Sequence, residues 1–174
     1  MSLFAVIISA FLYQAYANLM GSVILDQASG TSLMVSIDTS KNMVEIDLAG
    51  DGRYWFGVGF NSTDMNNTYT ILVDGGNDAG KIYEYKLGSG TCSPKCDKML
   101  TSTTKTNSNS LDGSVRTINV TRSVTGSNGD YYTFPTSPTT ISLIWGVGNA
   151  KNSVFESSTD MGGGGITSLT FVSA

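Results

Sequence analysis

The sequence contains no histidine among its 174 residues, and this restricts the chemistry that its side chains can perform. A serine or cysteine nucleophile usually relies on histidine as its base, so Ser-His and Cys-His catalytic arrangements are excluded. Paired carboxylates could still cleave glycosides, since 14 Asp and Glu residues are present. Most of them, such as Glu45 and Asp47, occupy polar positions of alternating segments or turns. We therefore predict that the chain is not an enzyme.

Aromatic side chains and one methionine are the better candidates for ligand contacts. Aromatic faces stack on sugars and planar cofactors, and a methionine sulfur is a soft ligand suited to haem iron. The aromatic candidates are Trp55, Tyr69, Tyr83, Tyr85, Tyr131, Tyr132 and Trp145, and Met65 follows the segment YWFGVGF on a polar turn. Each of these residues could instead fill the core, where rings bury large areas and methionine fills gaps. Both interpretations stay open.

Two other groups of residues could bind a metal. Residues 74–78, DGGND, offer oxygen ligands but lack the alternating spacing of a calcium loop, so a hairpin turn is favoured over calcium. Cys92 and Cys96 could be zinc ligands, but two thiols without histidine make a poor zinc site. In an exported protein they would form a disulfide, and we predict that pairing.

The elements that carry these residues read as β-strands. Apolar and polar residues alternate over 33–37 and 44–48, which predicts a hairpin with one buried face. Residues 54–60 are apolar on both faces and predict a central strand, whereas 101–112 predict a polar edge strand and loop. Residues 149–165 are expected to be irregular, before a closing strand at 166–172. With no helical period, roughly nine to eleven strands predict an all-β sandwich.

The first residues predict export. Residues 3–12 are an apolar run too short to span a bilayer, and small residues at Ala15 and Ala17 suit signal-peptide cleavage before Asn18. A hydrophobic N-terminal strand is the alternative. We predict a signal peptide at 1–17, a single secreted domain at 18–174, and no membrane-spanning segment.

Sequons and charge add two expectations about modification and partners. Asn61, Asn66 and Asn119 begin Asn-X-Ser/Thr sequons and are predicted glycosylation sites. The formal net charge is −4 and the sequence has no basic stripe, which disfavours nucleic acid as a partner.

The segments YWFGVGFNSTDMNNTYTILVDGG, KIYEYKLGSG, VRTINVTR and ISLIWGVGN, taken in this order, resemble the DOMON family. The run YWFGVGFNSTDMNNTYTILVDGG resembles a tryptophan-bearing strand ending in Gly-Phe, then a turn with a methionine and an aliphatic strand. KIYEYKLGSG, VRTINVTR and ISLIWGVGN resemble later strands of that domain. The resemblance covers about residues 21–172 and implies an extracellular, immunoglobulin-like antiparallel β-sandwich that binds haem b or sugars.

The resemblance also implies roles for particular residues. In haem-binding members, a methionine after the Gly-Phe strand and a histidine in the last long loop ligate iron. Met65 stands at the methionine position, and Phe155 matches the aromatic residue before the histidine. Glu156 stands where the histidine is expected, and Met161 could supply a second thioether. The usual Met/His pair is therefore not expected.

The leading hypothesis is a secreted, non-catalytic DOMON-like module for a sugar or another small ligand. Its ligand would enter between Met65 and the 149–165 segment. The predicted contact residues are Trp55, Met65, Tyr69, Glu156 and Met161. One alternative is a haem b-binding electron-transfer domain with unusual axial ligation, with Met65 as the candidate iron ligand and an extracellular redox partner. Another is a structural or adhesive protein.

Overall fold

The computed structural model describes residues 18–75, 80–88, 97–150, 155 and 161–174, and within them the chain forms antiparallel β-strands. The strands are β1 (Asn18–Asp26), β2 (Thr31–Asp38), β3 (Met43–Asp51), β4 (Phe56–Phe60), β5 (Tyr69–Val73), β6 (Ile82–Lys86), β7 (Lys98–Met99), β8 (Lys105–Asp112), β9 (Val115–Ser123), β10 (Thr139–Gly148) and β11 (Met161–Ser173). The predicted signal peptide lies outside the described residues. No helix in the described ranges has the length and hydropathy needed to cross a membrane.

The strands hydrogen-bond in the order β7-β6-β5-β4-β10-β11-β1-β2-β3-β9-β8. The long strand β11 pairs with β10 over most of its length and with β1 near its C-terminal end, where Met20 faces Val172. One layer therefore runs from β7 to β11 and the other from β1 to β8, with β11 at their junction. The curled sheet closes on one buried core, which confirms the predicted all-β sandwich.

Alternating burial in both layers forms that core. In β2 and β3 the predicted hairpin is present, with Val35 opposite Ile46 and both side chains fully buried. In β4 every residue is buried, as expected for a central strand. The polar strand β8 lies at the sheet edge, and each of its residues is exposed. Polar, exposed edges reduce pairing with other chains.

The C-terminal strand differs from the sequence-based expectation. Residues 161–165 were expected to be irregular, but β11 begins at Met161 and includes all four glycines. Glycine is a weak strand former, yet here Gly163, Gly164 and Gly165 each pair with a β10 residue, and Met161 pairs with Gly148. Pairing along β10 therefore overrides the local propensity.

Candidate functional site

Strand β4, with the sequence FGVGF, has two faces of opposite character. Phe56, Val58 and Phe60 point into the core. Because side chains alternate along a strand, Gly57 and Gly59 lie on the outer face, where they add no side chain. The outer face of β4 is therefore a depression between its neighbours.

Neighbouring strands extend this depression in two cross-strand rows. The first row is Leu72–Gly57–Gly146–Gly164, and the second is Thr70–Gly59–Ile144–Ile166. A Cβ added at Gly57 would lie 2.2 Å from Leu72 Cδ2, and one added at Gly59 would lie 2.7 Å from Ile144 Cγ1. Leucine and isoleucine side chains therefore lean over the glycines and give the depression an apolar floor.

A cavity of about 500 Å³ lies on this floor. Residues 63–66, the turn after β4, lie along its wall, and so do Trp55, Phe155 and Met161. Asp64 is the one charged residue among the described lining residues, so the wall offers no counter-ion for an anionic ligand. Its size and largely apolar lining are typical of small-molecule sites.

Aromatic rings form one side of the cavity. The Trp55 and Phe155 ring centroids lie 5.0 Å apart, edge to face, and the Phe155 and Tyr85 centroids 5.1 Å apart. Trp55 is 2% exposed, and its indole Nε1–H has no hydrogen-bond acceptor among the described residues. Edge-to-face ring pairs add stability beyond area burial, so this wall is expected to be firm.

A β-bulge places Met161 on the cavity side of β11. Val147 pairs with Gly163, whereas the next residue, Gly148, pairs with Met161, so Gly162 has no partner of its own. An inserted residue reverses the alternation of side chains, which is one way that bulges re-aim residues near functional sites. Met161 thus shares the outer face with Gly146 and Gly164.

Glycines make room for the Met161 side chain. A Cβ added at Gly146 would come within 2.8 Å of Met161 Cε, and one at Gly164 within 2.3 Å. At Gly162 a Cβ would lie 2.6 Å from the Gly148 carbonyl oxygen. The glycine run therefore both permits the bulge and lets the methionine lie on the cavity floor.

Met65 reaches the same cavity from the turn between β4 and β5. It is half-buried, and the Thr68 N–H donates to its carbonyl oxygen at 3.4 Å. The Thr68 hydroxyl also donates to the Asp64 carbonyl oxygen at 2.8 Å, which closes the turn. The structure thus brings Trp55, Met65 and Met161, all named from the sequence, into one cavity.

Tyr69, the other predicted contact residue within the described ranges, lies in the core. Its hydroxyl donates to Glu84 Oε1 at 2.5 Å, and the Arg122 guanidinium carbon lies 4.9 Å from its ring centre. Burial is the main cause that raises the Tyr69 pKa well above its usual value. Tyr69 is therefore separated from the cavity by the sheet itself.

The buried carboxylate of Glu84 was not anticipated from the sequence. Thr103 donates to it from both its backbone N–H and its hydroxyl, the latter at 2.8 Å, and the Thr104 N–H donates at 3.2 Å. Arg122 Nη1 lies 3.9 Å from Glu84 Oε1, and both side chains are at most 2% exposed. The available signal was the strand pattern, which puts Glu84 on the same face as Ile82 and Lys86. This mixed face gives no reason to expect a buried carboxylate.

Several predicted sites lie elsewhere or outside the described residues. Glu156, Cys92 and Cys96 are outside them. Asn61 and Asn66 are exposed, and Asn66 also lines the cavity. Asn119 is half-buried, and its Nδ2 donates to Glu45 Oε1 at 2.7 Å and to Asp47 Oδ1 at 2.8 Å. The three sequons therefore have different surroundings.

The segment DGGND connects two strands. The Asp74 N–H donates to the Lys81 carbonyl oxygen at 2.9 Å, and β5 and β6 pair antiparallel. This confirms that the segment lies in a hairpin connection. Residues 76–79 lie outside the described ranges.

Comparisons with known proteins identify the fold. No protein-family model matches the sequence, and no curated protein matches it significantly. The structure is similar to that of the cytochrome b domain of pyranose dehydrogenase from Coprinopsis cinerea, with a TM-score of 0.58 and 12% identity over 84% of this chain and 79% of that one. It is also similar to the cytochrome domain of Myriococcum thermophilum cellobiose dehydrogenase, with a TM-score of 0.56 and 14% identity over 84% and 80%. The chain has the fold of these cytochrome domains, and the resemblance to the DOMON family is thereby confirmed at the level of the fold.

Proposed function

We propose that the outer-face cavity binds haem b, that Met65 would be a ligand of its iron, and that the chain is a secreted, non-catalytic electron-transfer domain. The observation that carries this proposal is the apolar, glycine-floored cavity with a methionine thioether on its wall. The likeness to two cytochrome domains supports haem over other planar ligands. The proposal therefore favours haem over the leading sequence-based hypothesis of a sugar ligand.

The residues of the cavity fit haem b in three respects. About 500 Å³ is in the range of cofactor sites. Gly57, Gly59 and Gly146 add no side chains of their own to the floor, which leaves room for a flat ring above it. A thioether is a neutral, soft ligand suited to haem iron, and Met65 provides one.

Charge sets the orientation that we expect for the ligand. Haem b carries two propionates, and the described lining contains neither lysine nor arginine. Burying a carboxylate without a partner is costly, so we expect the propionates to remain in water at the cavity mouth. When bound, haem b would supply one-electron redox chemistry, and the chain would contribute a neutral ligand and an apolar enclosure. An extracellular redox protein would be its partner.

A sugar ligand has weaker support from the same cavity. Sugar hydroxyls need hydrogen-bond partners. Apart from two tryptophan indoles, the polar side chains among the described lining residues are those of residues 63, 64, 66 and 70. Trp55 could stack on a sugar ring, but its indole is 2% exposed. We therefore treat sugar binding as the rival outcome of the test.

Titration of the purified chain with haem tests the proposal. We expect a sharp Soret band at one equivalent, with α and β bands on reduction. Met65→Leu should remove these bands or weaken binding, because leucine keeps the volume without the sulfur. Met34→Leu is the matched control, since Met34 lies on β2 and is 41% exposed. Absence of a Soret shift, together with binding on a glycan array, would overturn the proposal in favour of a sugar.

A further inference from the structure

The chain lacks histidine, so an imidazole cannot be the second protein ligand of a six-coordinate haem iron. Among the described lining residues, the sulfur donors are Met65 and Met161. The other strong donor, the Asp64 carboxylate, is exposed and accepts the Asn66 N–H at 2.8 Å within its own turn. Soft thioethers suit haem iron better than carboxylates do, which directs attention to Met161.

Along the direction of the strands, Met161 and the Met65 turn lie at opposite ends of the cavity. It pairs with Gly148, just beyond the Phe56–Val147 pair at the start of β4. Met65 lies in the turn that follows the other end of β4, where the Ser62 N–H donates to the Ser142 carbonyl oxygen at 3.2 Å. The two methionines therefore enter from opposite ends of the glycine floor, so a flat ring standing on that floor would lie between them.

The local structure favours Met161 on this face over packing in the core. The bulge at Gly162 turns the side chain outward, and glycines at 146 and 164 leave space for its methyl group. Without the bulge, regular alternation would place residue 161 on the same face as Gly163 and Gly165, which is the face opposite the cavity.

We propose that Met161 is the second axial ligand of the haem iron, so that the site is a bis-methionine haem site. This inference rests on the proposed function, because it requires haem in the cavity. Two neutral thioethers stabilise the ferrous state relative to ligation that includes a stronger donor such as histidine, so the reduction potential should be high.

Absorption spectroscopy and carbon monoxide binding on the haem-loaded full chain test this assignment. Wild type is expected to be six-coordinate in both oxidation states and to resist carbon monoxide when reduced. Met161→Leu should lose the six-coordinate spectrum and bind carbon monoxide readily, while Met34→Leu behaves as wild type. Met161→His should restore six-coordination and lower the reduction potential.

A second variant keeps the test decisive if Met161→Leu folds poorly. Gly146→Ala adds a methyl group whose severe contact is with Met161 Cε, the flexible end of that side chain, and whose other contacts are 3.5 Å or longer. It should shift Met161 and increase carbon monoxide binding without removing any donor atom.

The outcomes separate the inference from the proposed function. If haem binds but Met161→Leu and Gly146→Ala keep the wild-type spectrum and resistance to carbon monoxide, the second ligand is not Met161 and only the inference is overturned. The same conclusion follows if Glu156→Gln opens the coordination position and Met161→Leu does not. If wild type does not shift and sharpen the Soret band of free haem, the proposed function and the inference are both wrong.

Discussion

On its inner face β4 presents Phe56, Val58 and Phe60, each at most 3% exposed, whereas on its outer face it presents Gly57 and Gly59. The inner side chains join the core that holds the two layers together. The outer glycines leave space that neighbouring strands enclose as a cavity. The five residues of β4 thus serve both core packing and the cavity, because successive side chains point to opposite faces. A residue on one face can be substituted without replacing a side chain on the other.

The two faces also treat polar and sulfur-containing groups differently. The inner side of the β4–β5–β6 layer holds the Glu84 carboxylate, which has three hydrogen-bond donors from Thr103 and Thr104 and Arg122 nearby. The outer side holds thioethers, which need no hydrogen-bond partner when dry. Neutral methionines can therefore remain beside an apolar cavity, where a carboxylate would need compensation.

The largest expected effect comes from the inner face. Glu84→Gln leaves Arg122 buried without a carboxylate, and breaking a buried ion pair in this way costs about 3–5 kcal/mol. Urea unfolding should show this loss. Lys41→Ala, which breaks the exposed Lys41–Asp38 pair, should leave the midpoint unchanged. An unchanged urea midpoint in Glu84→Gln would mean that the Glu84–Arg122 pair does not stabilise the inner face.

A smaller effect is expected for Val58→Ala, in the middle of β4. Removing two buried methyl equivalents and leaving a cavity should lower the free energy of unfolding by about 2 kcal/mol. Haem affinity of the folded protein should stay close to that of wild type, because Val58 faces the core. A loss of haem affinity that exceeds the loss of stability would show that the two faces are coupled.

The reciprocal change on the outer face is Gly59→Ala. Its Cβ would lie 2.7 Å from Ile144 Cγ1 and Thr68 Cγ2, so these side chains must move and the cavity floor rises. We expect haem to bind about tenfold more weakly, a difference of about 1.4 kcal/mol. The free energy of unfolding should fall by about 1 kcal/mol as the two side chains repack. Isothermal titration and urea unfolding of the same preparation measure both quantities. Unchanged affinity would indicate that the floor does not contact the ligand.

The last expected effect is a pH dependence at the rim of the inner face, which appears only above about pH 10. Burial raises the pKa of Tyr132 from 10.0 to about 12. The unfolded chain therefore ionises this hydroxyl first as the pH rises, so its contribution to stability is full below pH 10 and declines towards pH 12. Tyr132→Phe keeps the ring stacked on Phe60, 5.8 Å away, and should flatten this decline in pH-dependent unfolding. An equally steep decline in the variant would contradict the assignment.

Local alternation was sufficient to predict the strands whose two faces differ. Residues 33–37 and 44–48 have one polar face, and their hairpin has the expected pairing. In β5 both faces are buried, so periodicity could not tell that Tyr69 faces the core and Thr70 the cavity. Family resemblance, and not periodicity, singled out Met65.

Features that depend on distant pairing could not be predicted. Glu84 is stable inside because Arg122 and Thr103, on other segments, reach it, and neither neighbour is visible in the local sequence. The bulge at Gly162 is set by the register between β10 and β11. A glycine run alone predicted irregular structure, because weak strand propensity carries no information about a partner strand.

Because β11 pairs with β1, the chain is suited to circular permutation. The Ala174 N–H donates to the Asn18 carbonyl oxygen at 2.8 Å, so the two ends of the sandwich are adjacent. In a variant made of residues 18–174 alone, a short glycine-rich linker could join them, with new ends opened at the exposed β8–β9 turn, where Gly113 has a φ of 59°. Such a circular permutant would keep every strand pairing outside that turn, and it would move the free ends to the sheet edge, away from β11 and the cavity.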